Sequence, residues 1–132
     1  MKRVTGIGGL FFKAKDPKKL QAWYQKHLDL PVTPDGYIVF KAGHDEPVYT
    51  VWSAMSEDTT YYQPSKKQFM FNYRVENLEA LLQVLKEEGV PQIGDIQVEE
   101  YGKFGWIMDP EGNKIELWEP NDEEFARMNK ID

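Results

Sequence analysis

An acid set inside an apolar run, Glu116 in "DPEGNKIELWEP" (Asp109–Pro120), and two histidines, His27 and His44, are the side chains whose types invite chemistry. A carboxylate between Ile115 and Leu117 can ligate a cation, take a proton, or meet an arginine. Without cysteine, thiolate metal sites, disulfides and a cysteine nucleophile are excluded. His27, beside Leu28 in a helical stretch, reads as a helix-flank residue. His44 in "GHDE" reads as an exposed turn residue, with a surface metal contact through Asp45 as the remote alternative.

These residues sit in a pattern written twice. "GLFFKAKDPKKLQAWYQKHLDLPV" from Gly9 and "MFNYRVENLEALLQVLKEEGVPQ" from Met70 share one grammar about sixty residues apart. Each opens with an apolar strand. In the first, Asp16 and Pro17 supply an N-cap and a first-turn proline, and Leu20, Trp23, Tyr24 and Leu28 recur at helical spacing. In the second, Asn77 is the cap, Leu78, Leu81, Leu82 and Leu85 form the stripe, and Gly89 ends the helix in a left-handed conformation. Three further strands are expected after each helix: a short one near Val32, "GYIVFKA" and "PVYTVWSA" in the first half, and "IQVEEY", "FGWIMD" and "KIELWE" in the second. Asp109 to Gly112 form the last hairpin. The expectation is βαβββ, repeated: module one about residues 5–53, linker about 54–67, module two about 68–120, and tail 121–132. The linker, with Tyr61 and Tyr62, reads as a connection or as a lid over a pocket. The tail reads as a short acidic helix with Phe125 and Met128 packing back, or as a fraying end.

With 132 residues the chain has one domain's length, and its aromatic content of 14% supports a packed core. A net charge of -6 repels phosphates, and "KDPKK" is too short a basic run to offset it, so neither nucleic acid nor an anionic membrane is an expected partner. The start "MKRVTGIGGLFF" is too short for a signal peptide, and no run approaches the ~20 apolar residues of a membrane span. A cytoplasmic location is the expectation.

The paired βαβββ units, the helix starts after "KAKD" and "RVEN", and above all "DPEGNKIELWEP" resemble the vicinal oxygen chelate superfamily, which contains glyoxalase I, bleomycin resistance proteins and extradiol dioxygenases. The resemblance covers about Gly8 to Pro120. It implies an α+β fold, a curved mixed sheet with helices on its convex face and a ligand cavity on its concave face, and a homodimer. It also implies metal ligands on the first and last strand of each module, usually His or Gln on the former and Glu on the latter. Counting from the helix caps, the first-strand positions fall on Gly9 and Met70. Aligning "VYTVW" with "KIELW" on Trp52 and Trp118 sets Thr50 against Glu116. Of these four only Glu116 is a usable ligand, so no metal and no other cofactor is expected.

Strand alternation then assigns Leu10, Phe12, Phe69, Phe71, Tyr73, Ile115 and Leu117 to the convex core. The concave face receives Gly9, Phe11, Lys13, Thr50, Trp52, Met70, Asn72, Arg74, Glu116 and Trp118. Phe11, Thr50, Trp52, Met70, Asn72, Arg74, Glu116 and Trp118 are the candidate ligand contacts. Glu116 is open to three roles: partner of Arg74 with Asn72 donating to the same carboxylate, ligand contact, or catalytic base. Trp52, Trp106 and Trp118 read as buried area or as stacking platforms. The leading expectation is a protein that binds a small organic molecule without metal chemistry. The alternatives are a glyoxalase-like lyase or isomerase using Glu116 or an unorthodox metal site, and a dimeric interaction protein whose cavities its own side chains fill.

Overall fold

The computed structural model describes residues 1–43 and 45–131, so the reading of His44 lies outside the described residues. The elements are β1 (Val4–Ala14), α1 (Pro17–Leu28), β2 (Ile38–Ala42), β3 (Val48–Ser56), β4 (Phe69–Val75), α2 (Leu78–Glu87), β5 (Gln97–Glu99), β6 (Gly102–Met108), β7 (Lys114–Pro120) and α3 (Asp122–Met128).

Helix starts follow the cap chemistry. The Asp16 carboxylate accepts from the Lys19 backbone N–H at 3.1 Å and the Asn77 side chain accepts from Ala80 at 3.1 Å, each satisfying one orphan donor of the first turn. The α2 helix stops at Gly89, whose φ of 82° suits a residue without Cβ.

The strands form one open, mixed sheet in the order β2-β3-β1-β4-β7-β6-β5. Within each half the first strand runs parallel to the last, β1 beside β3 and β4 beside β7, and antiparallel β1 and β4 join the halves at the centre. The strand expected near Val32 is reduced to an isolated bridge from Val32 to Ile38. Pro31 and Pro34 flank Val32, and a residue without N–H cannot extend a ladder.

Helices α1 and α2 lie on one face. Trp52 of β3 meets Phe12 of β1 edge-on at 4.9 Å and Tyr24 of α1 at 5.1 Å. Leu78, Leu81 and Leu82 of α2 pack with Val75 and Leu117, and Gly105 lets α2 approach, since a Cβ there would lie 2.9 Å from the Leu82 side chain. The two helices cover the flanks of the sheet and not its middle. Leu10, Phe69 and Phe71, expected in the core, are therefore 44%, 36% and 41% exposed. They sit on the uncovered central strands, with Leu10 paired to Phe71 and Phe12 to Phe69.

The opposite face is covered differently. Helix α3 lies there, burying Phe125 against Tyr49 and Trp118. The segment 57–67 also folds onto this side, burying Tyr62 with Met70 and Trp106. No helix among the described residues is long and apolar enough to cross a membrane.

Candidate functional site

The site is built on a gap in β1. Pairing with β4 slips between Ile7 and Gly9, and both Gly8 and Gly9 are buried there. A Cβ on Gly8 would lie 1.9 Å from the Asn72 Oδ1, so Asn72 of β4 occupies the space a side chain at position 8 would need. Its Nδ2 donates to Glu116 Oε1 at 2.6 Å, across the register pair that joins β4 to β7.

Two more donors hold the second oxygen. Trp106 of β6 stands opposite Glu116 and donates its indole N–H to Oε2 at 2.9 Å. Tyr61, from the segment between the halves, donates its hydroxyl to the same oxygen. Glu116 is 1% exposed and accepts these three bonds from three separate parts of the chain. A carboxylate offers about four lone-pair positions, which leaves one on Oε1 uncommitted.

Burial pushes the Glu116 pKa above its ordinary value, against the pull of the three donors and of nearby Lys114. The Tyr61 and Tyr62 hydroxyls are raised by burial and then by the charge of Glu116. Burial lowers the Lys114 pKa, which Glu116 opposes, and its Nζ donates to the Tyr61 carbonyl at 2.6 Å, tying down the loop that carries Tyr61.

Arg74 does not pair with Glu116. It stands two register pairs further along, beside Trp118, over whose ring its guanidinium lies at 5.3 Å. It donates to Asp122 Oδ2 at 2.5 Å and to the Tyr49 carbonyl at 3.1 Å, which anchors the start of α3. Asn72, by contrast, reaches the carboxylate as the sequence suggested.

Above the carboxylate opens a cavity of about 310 Å³, walled by side chains of both halves, the 57–67 segment and α3. Of the expected contacts, Phe11, Asn72, Glu116 and Trp118 line it, while Met70 and Arg74 are buried behind it. Thr50 and Trp52 do not take part. Thr50 donates its hydroxyl to the Ile7 carbonyl, and Trp52 packs beneath α1 on the far face. The reason is register: β1 pairs Gly9 with Val51 and Phe11 with Ser53, so Val51, Ser53 and Met55 face the cavity and the residues between them do not. Ser53 pairs with Phe11 as Glu116 pairs with Asn72, making Ser53 the first-half counterpart of Glu116.

The lining is completed by Tyr61 of the linker that the sequence offered as a lid, by Tyr101, by Phe125 and Met128 of the tail offered as packing back, and by Asp35, Tyr37, Phe104 and Asn129, which the sequence reading did not single out. The Tyr37 hydroxyl donates to Asn129 Oδ1 at 2.6 Å and fastens the far end of α3. Phe104 stands opposite Trp118 on β6, a position strand alternation could have found.

The positions the superfamily uses for a cation do not fit one. Gly9 has no side chain, and a Cβ there would lie 2.7 Å from the Phe11 ring. Met70 is packed with Tyr62 and Trp106, Thr50 is turned away, and Ser53, which the register sets in its place, offers only a hydroxyl. Glu116 has already committed most of its lone pairs. Among the described residues no three His, Asp or Glu side chains converge in a way that could hold a metal ion. The His27 ring lies 4.9 Å from that of the exposed Trp23 on α1, tilted by 45°.

Several solved structures share the architecture. The methylmalonyl-CoA epimerase of Mycobacterium tuberculosis is 20% identical, with 96% of this chain and 95% of that chain covered and a TM-score of 0.61. The epimerase of Streptomyces coelicolor in complex with 2-nitronate-propionyl-CoA is 12% identical over 89% and 99% of the two chains, with a TM-score of 0.66. A glyoxalase/bleomycin resistance protein/dioxygenase superfamily member from Vibrio splendidus is 15% identical over 86% and 97%, with a TM-score of 0.55. Identities this low speak for the fold. No curated protein matches the sequence. The glyoxalase-like domain family matches residues 9–118, nearly the whole of both halves, and the chain belongs to that family.

Proposed function

We propose that the protein binds a small organic molecule in the cavity between its two halves, with Glu116 and Asn72 as the polar contacts and no divalent metal. The observation that carries this reading is a buried carboxylate held at the floor of an aromatic cavity of about 310 Å³, a size suited to a small ligand. Keeping an acid in a dry site costs stability, and carboxyls perturbed by burial in a cleft cluster at functional sites. Phe11, Phe104 and Trp118 supply apolar contact area. A cavity of this volume does not suit the alternative in which the protein's own side chains fill the cup.

The enzyme reading has one observation in its favour. A carboxyl whose pKa is raised by burial is poised to take a proton, as a lyase or isomerase requires. The S. coelicolor structure is a complex with 2-nitronate-propionyl-CoA, so methylmalonyl-CoA is the probe that tests the enzyme reading alone. Binding and turnover separate cleanly: a ligand screen by thermal shift, followed by proton exchange in D₂O on any hit, compares wild type with Glu116→Gln. Binding without exchange supports the proposal, and exchange abolished in the variant supports catalysis. A cytoplasmic homodimer belongs to the same proposal. The uncovered Leu10, Phe69 and Phe71 are the face a second copy would cover, and sedimentation of wild type against Phe71→Lys tests it.

A further inference from the structure

The charges around the cavity are one-sided. Its lining holds two carboxylates, Glu116 at the floor and exposed Asp35 at the rim, and among the described residues no Lys, Arg or His side chain. The nearby cations are held by other groups: Arg74 by Asp122 and the Tyr49 carbonyl, over the Trp118 ring at 5.3 Å; Lys114 by the Tyr61 carbonyl, over the Tyr61 ring at 5.4 Å; and Lys13 over the Tyr62 ring at 5.7 Å. Glu116 is satisfied by three neutral donors, so its charge meets hydrogen bonds but no ion pair.

The walls are of a matching kind. Tyr37, Tyr61, Tyr101, Phe104 and Trp118 line the same space; Phe104 and Trp118 stack at 5.9 Å with planes 6° apart, and the Trp118 and Tyr61 rings already carry Arg74 and Lys114, the contact the cavity would repeat for a ligand. Ring faces carry negative quadrupole density and attract ammonium groups, most strongly where water is excluded. An anion entering this space would meet two carboxylates without a cation to pair with. A neutral ligand would gain the walls but leave the Glu116 charge unmatched.

We infer that the cavity takes an organic cation: a protonated amine or quaternary ammonium on a flat apolar body, its charge between the tyrosine rings and the uncommitted side of Glu116 Oε1. This rests on the reading of the cavity as a ligand site and adds the charge of the ligand to it. The overall charge of -6 favours the approach of a cation.

Three probes of similar shape and different charge test it: benzyltrimethylammonium, its uncharged carbon isostere neopentylbenzene, and the anion phenylacetate. Each is titrated into the full chain and followed by indole fluorescence. The cation is expected to bind about tenfold or more tighter than the neutral isostere, the gain expected of a desolvated cation over aromatic rings. Glu116→Gln should abolish the preference, bringing the cation and neopentylbenzene to about the same affinity, and Asp35→Asn should lower the affinity for the cation by a smaller, salt-sensitive factor. If the neutral or the anionic probe binds as tightly as the cation, the inference fails and the cavity remains a ligand site. If none binds at millimolar concentration, the cavity reading fails and takes the inference with it.

Discussion

The two halves of the sheet put different chemistry at matching places. Phe11 and Ser53 in β1 and β3 stand where Asn72 and Glu116 stand in β4 and β7, each a register pair on parallel strands facing the same cavity. In the first half this pair is a wall with a small hydroxyl beside it. In the second it is an amide and a carboxylate held by Trp106 and Tyr61. One half supplies space and the other polarity. Gly8 and Gly9 leave the room that Asn72 and the Phe11 ring occupy, so the second half's network depends on side chains the first half lacks.

That asymmetry can be broken from either side. The largest effect is expected at Trp118, which is 2% exposed and packed between Phe104, Phe125 and Arg74. Trp118→Ala should cost about 3–5 kcal/mol in urea denaturation. Next comes Gly8→Ala, whose methyl would strike the Asn72 amide. A loss of about 1–3 kcal/mol is expected, with the Asn72 bond to Glu116 displaced, while Gly6→Ala, with open space around its Cβ, should change stability by no more than about 0.5 kcal/mol. Equal losses at both glycines would mean that the gap in β1 does not hold the amide.

Glu116→Gln sharpens the comparison through pH. Burial raises the folded-state pKa of Glu116 above its ordinary 4.5, so between the two values the native state binds more protons than the unfolded one. Stability of the wild type is therefore expected to fall as pH rises from the ordinary value through the folded-state value, and then to level off. The glutamine variant lacks this term. Tyr61 and Trp106 can still donate to its oxygen, and its amide can donate to Asn72 Oδ1, which is now unpaired. The variant should gain on the wild type as pH increases in denaturation series; a wild type that gains on the variant instead would show the carboxylate to be stabilising. The smallest effect belongs to the counterpart, Ser53→Ala, which should stay within about 0.5 kcal/mol and show no pH dependence.

Much of the fold was legible because its signals are local. Asp16–Pro17, Asn77 and Gly89 mark helix ends through hydrogen bonds and backbone conformations their own side chains dictate, and the "DPEG" turn announces the β7 strand. The phase of β3 was not legible. Trp52 and Trp118 are the same residue type at similar places in their strands, yet the first packs under α1 and the second faces the cavity. Setting one upon the other moved every β3 side chain to the wrong face, as a slip of one residue must. Glu116 and Asn72 were found because they lie on a strand pair with a clear apolar alternation. Tyr61 and the residues of α3 reach the site through long-range packing: the sequence offered the linker as a lid and the tail as packing back, but no local pattern chose those readings over a plain connection and a fraying end. The ion pair expected between Arg74 and Glu116 fails for a related reason: shared strand face is not shared register, and Arg74 sits two pairs too far along.

The four tryptophans divide evenly, Trp106 and Trp118 on the cavity side and Trp23 and Trp52 on the side of α1. Their indole N–H signals in a two-dimensional NMR titration with benzyltrimethylammonium are the most direct test of the cavity as a ligand site. The account predicts saturable shifts of the Trp106 and Trp118 signals while those of Trp23 and Trp52 stay in place. Shifts confined to Trp23 and Trp52, or a full set of four unmoved at millimolar ligand, would contradict it.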